Sequence, residues 1–120
     1  MEFKEFYKFL FTFNLDSTDK KKQLDFEIVE LYFNNLFSGQ FKIVNDFLYF
    51  LKNHKKCEGL TYDQWTCFLD FLLTIGDNFP KGYKLSDSWP TLFDEFSKEY
   101  CLKNGLSLDQ EDENEEGLFN

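Results

Sequence analysis

Apolar side chains return every three or four residues in five successive stretches of this chain. That spacing limits the fold more than anything else, because it gathers side chains on one face of a helix and scatters them on a strand. Phe3, Phe6, Tyr7, Phe9, Leu10 and Phe13 predict a first helix. Residues 14–23 are polar, with Asp16-Ser17-Thr18-Asp19 and three lysines, and read as a loop. Leu24 to Phe37 predicts a second helix, apolar over a wide arc (Leu24, Ile28, Leu31, Tyr32, Leu36) and therefore central. Ser38-Gly39-Gln40 stops it, with Gly39 suited to a left-handed cap. Val44, Phe47, Leu48 and Leu51 predict a third helix ending near His54, and 55–59 form the next loop.

The fourth helix has the clearest start. Thr61 with Gln64 three residues on is a capping box, and Leu60 and Trp65 are placed for a hydrophobic staple. This helix is expected to run to about Asp77. Asn78 to Asp87, with Pro80 and Gly82, reads as a loop. A fifth helix starts near Pro90, which suits a first turn where its missing N–H costs nothing. Trp89, Phe93, Phe96 and Tyr100 line its inner face. Strand signals are weak and no repeat is visible. The predicted fold is all-α, a compact bundle of about five helices over residues 1–106, followed by an acidic tail, 107–120, expected to be disordered.

Charge narrows the partners. The net charge of −9 is uneven: residues 1–62 balance nine acids against nine lysines, 63–108 carry seven acids and four lysines, and 109–116 hold six acids and no lysine. There is no basic stripe, so nucleic acid is an unsuitable partner. An acidic surface favours a basic partner and salt-sensitive association. Aromatic residues make up 21% of the chain and 17 of them are Phe, which reads as compositional bias filling the core and not as function. No apolar run approaches the ~18 residues of a membrane span.

Catalytic patterns are missing. Cys57, Cys67 and Cys101 are odd in number and make no CxxC pair, which suits reduced thiols in the nucleus and cytoplasm. His54 and Cys57 have a metal-ligand spacing but nothing completes a tetrahedral site. Cys67 falls among core positions of the fourth helix and reads as an inert thiol. There is no Gly-rich phosphate loop, no calcium loop, and no good acyl-carrier Asp-Ser-Leu context at Asp16-Ser17 or Asp87-Ser88. The expectation is a non-enzyme with no cofactor and no metal. What remains is a row of aspartates, Asp63, Asp70 and Asp77, seven residues apart. On one continuous helix they would share a face, drifting by about 20° per step. Asp63, in the first turn, also complements the helix dipole.

The chain resembles a known family. Phe3-Lys4-Glu5-Phe6-Tyr7 is similar to the opening of the PONY (potentiating neddylation) domain of defective-in-cullin-neddylation proteins. Leu24-Asp25-Phe26-Glu27, Tyr32 and Phe41-Lys42 are similar to the family's next helices. The most specific part is Asp63-Gln64-Trp65…Leu69-Asp70-Phe71…Ile75…Asp77, followed by Trp89-Pro90…Leu92…Asp94…Phe96. The resemblance covers about residues 3–100. It implies a non-catalytic adaptor, an accessory ligase factor that binds the cullin C-terminal winged-helix region and promotes cullin neddylation. The alternative from residues alone is a generic acidic interaction domain with another basic partner.

The resemblance also implies site residues. The family's Asp-Ala-Asp cullin-binding patch falls on Asp63, Ser88 and Asp94, with Ser in place of Ala and with Trp89 as an apolar anchor alongside. Its pocket for the acetylated N-terminal Met of the conjugating enzyme falls partly on Phe13, Ile28 and Tyr32, with Asn35 where the family has an apolar residue. The conjugating enzyme and the RING subunit of the ligase are the further partners implied, with the chain itself a monomer. The family's preceding EF-hand-like half has no counterpart here, so the expectation is either a fragment of a longer protein or a natural short form.

Overall fold

A computed structural model describes residues 2–14, 23–37, 39–54 and 58–108. The expected disordered tail beyond 108, the Asp16–Asp19 segment and Cys57 lie outside these described residues. The fold is all-α, with α1 Phe3–Asn14, α2 Phe26–Leu36, α3 Lys42–Asn53, α4 Tyr62–Thr74 and α5 Thr91–Asn104. A short ribbon joins β1 Gln23–Asp25 to β2 Gly59–Thr61. The chain divides into two compact units, Met1–Asp77 and Asn78–Asn120.

The ribbon corrects the start of the second helix. Leu24 is not helical: it pairs antiparallel with Leu60, between Gln23 paired to Thr61 and Asp25 paired to Gly59. Both leucines are buried, so the ribbon places two apolar side chains in the core just before two helices begin. The pairing needs Gly59. A β-carbon there would lie 1.9 Å from the Leu24 carbonyl oxygen, so only a residue without one lets the strands approach.

The first unit is built on stacked rings. Tyr7 of α1 lies over Trp65 of α4 with centroids 4.2 Å apart and planes 6° from parallel. Trp65 stacks on Phe33 of α2 (5.4 Å, 17°), Phe33 on Phe68 of α4 (4.6 Å, 16°), and Phe68 on Phe47 of α3 (4.5 Å, 22°). The column crosses four helices, and each offset pair adds roughly 0.5–1.5 kcal/mol beyond area burial. Its polar atoms are satisfied reciprocally. The Tyr7 hydroxyl donates to the Trp65 carbonyl (2.6 Å), and the Trp65 indole N–H donates to the Tyr7 carbonyl (2.8 Å). Two buried polar groups thus tie α1 to α4 without leaving a donor orphaned.

The capping box opens α4 as its spacing indicates. The Gln64 N–H donates to Thr61 Oγ1 (3.2 Å) and the Thr61 N–H to Gln64 Oε1 (2.9 Å). The far end differs from expectation. The α-helix stops at Thr74, because Gly76 adopts a left-handed φ of 55° and a 3₁₀ turn, Gly76–Asn78, follows. Asp77 is therefore off the α4 face. Its carboxylate accepts from the N–H groups of Lys42 (3.1 Å) and Ile43 (2.9 Å) and caps the start of α3. Phe41, at the N-cap position itself, has no side-chain acceptor, so Asp77, 35 positions beyond Lys42, supplies one.

In the second unit, Asn78–Ser88 is a run of turns that ends with Ser88 at a left-handed φ of 64°. Pro90 occupies the N-cap of α5, one position before the first-turn site expected, and accepts from the Phe93 N–H (2.8 Å). Phe79 packs on Phe96 (5.4 Å) and Tyr100 (5.0 Å). Gly105, with φ 66°, ends the helix, and the Leu106 N–H closes back on the Cys101 carbonyl (2.8 Å).

Candidate functional site

The aspartate row separates into three different environments. Asp63 is exposed in the first turn of α4, where an anion is favoured by the helix N-terminus. Asp70 makes an ion pair with Lys4 of α1 at 3.4 Å, each side chain about half exposed (50% and 51%). Asp77 is the structural cap just described. Only Asp63 of the three combines exposure with the absence of a cationic or backbone N–H partner among the described residues.

Asp63 and Asp70 shape the chemistry of Cys67. Partial burial first, and the two neighbouring carboxylates next, push its thiol above the usual range, and the Cys67 Sγ donates weakly to Asp63 Oδ1 at 3.8 Å. Burial also raises the Cys101 thiol. Cys67 and Cys101 are free thiols, and both shifts favour the protonated form. Among the described residues, no group of three or more His, Cys, Asp or Glu could hold a metal ion, and no helix is long and apolar enough to cross a membrane.

Ser88, Trp89 and Asp94 all belong to the second unit, on the turn before α5 and the first turn of that helix. Ser88 is exposed, and its left-handed backbone is uncommon for a residue with a β-carbon. Trp89 is half-buried, its indole near parallel to the rings of Tyr83 (6.0 Å, 18°) and Phe93 (6.0 Å, 30°). Asp94 is also half-buried, and its Oδ1 accepts a 2.6 Å hydrogen bond from the Tyr83 hydroxyl. Burial chiefly, with the bond to Asp94 second, raises the Tyr83 phenol far above its usual range, so it remains a donor. Sequence patterning gives no sign of Tyr83, which falls in the 78–87 stretch read as a loop.

The second set of residues lies wholly in the first unit. Phe13 at the end of α1 is 68% exposed and rests against Phe9 (5.6 Å). Ile28 and Tyr32 of α2 are half-buried, Tyr32 bonded through its hydroxyl to the Asn14 amide and lying 6.1 Å from Trp65. Asn35 is exposed, and its amide donates back to the Leu31 carbonyl (2.7 Å).

The first unit thus has an apolar core and an exposed anion at the start of α4, and the second an aromatic and a buttressed carboxylate at the start of α5. The family described as Cullin binding matches residues 1–99, and this chain belongs to it. DCN1-like protein 3 of Xenopus laevis is 34% identical over 97 residues, which cover 79% of this chain and 32% of that protein. DCN1-like protein 3 of Homo sapiens and of Mus musculus are each 33% identical over the same length and the same shares. The chain thus spans about a third of the length of the curated relatives it matches.

Proposed function

We propose that this chain is a non-catalytic adaptor that binds the C-terminal winged-helix region of a cullin and promotes cullin neddylation. Membership of the Cullin binding family, over residues 1–99, is the observation that carries this reading. Asp63 and Asp94 are its charged contacts, Ser88 the close backbone contact and Trp89 the apolar anchor. The raised thiols of Cys67 and Cys101 support the non-catalytic reading. The rate gain then comes from proximity, by holding the acceptor lysine of the cullin near the charged conjugating enzyme. Phe13, Ile28 and Tyr32 are the residues proposed to meet that enzyme, and the exposure of Phe13 favours the assignment.

An exposed ion pair contributes about 0.2–1 kcal/mol. Removing one partner of a desolvated pair costs roughly 2–5 kcal/mol. Calorimetry with a cullin C-terminal fragment tests the assignment against Asp63→Ala and Asp94→Ala. Each is expected to weaken binding at least severalfold while the circular dichroism stays unchanged. If both folded variants bind as the unmodified chain does, these are not the docking residues. If the cullin fragment does not bind at all, a generic acidic interaction domain with another basic partner is the better reading.

A further inference from the structure

Asp94 is not a freely turning surface charge. Its Oδ1 lies 2.6 Å from the Tyr83 hydroxyl, within the short range of an O–H···O⁻ bond, and Tyr83 is fully buried (0% exposed). The same phenol ring lies near parallel to the indole of Trp89 and meets Phe79 edge-on (5.7 Å, 79°). One buried side chain therefore touches both the carboxylate and the indole. We propose that Tyr83 is a positioning residue for the cullin-docking surface, its hydroxyl fixing the Asp94 carboxylate and its ring setting Trp89. This inference rests on the docking role proposed above for Asp94 and Trp89.

The physical reason is preorganisation. A side chain that must be ordered when the partner arrives subtracts that ordering from affinity. A carboxylate already held by a buried donor does not. The donor is dependable, because burial and the adjacent carboxylate keep the phenol protonated across the physiological range. With Oδ1 committed, and no bond to Oδ2 among the described residues, Asp94 presents one oriented oxygen. A single oriented acceptor suits the compact ammonium of a lysine better than the two-pronged guanidinium of an arginine.

The test is a double-mutant cycle on the full chain, titrated with a cullin C-terminal fragment at 10 °C. Tyr83→Phe keeps the ring and removes only the hydroxyl. It is expected to weaken binding about 5–20-fold, and to add nothing to the loss already produced by Asp94→Ala. Asp94→Glu keeps the charge but carries the carboxylate past the phenol, and is expected to lose binding to a similar extent. A merely structural Tyr83 would lower the melting temperature and leave the cycle additive. Additive losses, or unmodified binding by Tyr83→Phe or Asp94→Glu while Asp94→Ala is impaired, overturn the positioning role and leave the docking role standing. Unmodified binding by Asp94→Ala overturns both.

Discussion

The two bonds from Asp77 to the start of α3 make a prediction that separates it from its neighbour in the row. Replacing Asp77 by Ala removes both acceptors, for Lys42 and Ile43, along with a negative charge beside a helix N-terminus. Loss of a side-chain cap costs about 0.5–2 kcal/mol, and loss of the favourable charge about 0.3–1 kcal/mol. The expected total is about 1–3 kcal/mol, a fall of several degrees in Tm for a chain of this size. Asp70→Ala removes only a half-exposed ion pair with Lys4 and should cost under about 1 kcal/mol. Asp77→Asn should fall between the two, since an amide oxygen still accepts but carries no charge. Urea denaturation followed by circular dichroism measures all three, with matching slopes needed for the comparison. If Asp77→Ala and Asp70→Ala cost the same within a few tenths of a kcal/mol, the cap does not stabilise α3 and the reasoning fails.

Other consequences follow from the same packing. Tyr7→Phe keeps the ring column and loses the bond to the Trp65 carbonyl, so it should cost about 0.5–1.5 kcal/mol by the same denaturation. Gly59→Ala should cost more than any of these, because the new methyl meets the Leu24 backbone at 1.9 Å and the ribbon must open; little change in the urea midpoint would contradict that. Asp63→Asn removes an anion that disfavours the Cys67 thiolate, so peptide mapping after timed iodoacetamide treatment at pH 8 should show faster Cys67 alkylation and an unchanged Cys101. Tyr7 and Tyr83 both have phenol pKa values raised by folding. Their contribution is complete below the ordinary value of about 10 and is lost as pH rises above it, because the unfolded chain releases protons the folded chain keeps. Stability measured from pH 8 to 11 should fall beyond about 10, and less steeply in Tyr7→Phe.

What could be read from the residues was what depends on near neighbours. The capping box needs only Thr61 and Gln64, and it forms as its spacing indicates. The buried face of α3 (Val44, Phe47, Leu48, Leu51) likewise follows from spacing, whereas in α1 Phe3, Phe6, Phe9 and Phe13 are exposed and the buried residues are Tyr7, Leu10 and Phe11. Other parts depend on distant partners or on a local break in the pattern. Leu24 continues a helical apolar pattern, but Leu60 and the missing β-carbon of Gly59 draw it into a strand. The seven-residue spacing to Asp77 implies a longer α4, yet Gly76 turns the chain and hands Asp77 to α3. Ser88 carries no local mark of a left-handed backbone, and Tyr83 none of its bond to Asp94. Asp63, Ser88 and Asp94 follow from the resemblance; spacing on its own ranks Asp70 and Asp77 beside Asp63.

The placement of the two indoles has a practical consequence. Trp65 lies fully buried in the first unit between Tyr7 and Phe33, while Trp89 lies half-buried in the second. Each unit therefore contains its own indole fluorophore, and the chain has no third tryptophan. Trp89→Phe leaves indole emission from the ring column alone, and Trp65→Phe leaves it from beside Asp94, the carboxylate proposed to dock. Titrating a partner against the second variant and denaturing the first would follow recognition and unfolding through separate optical signals, with no label attached.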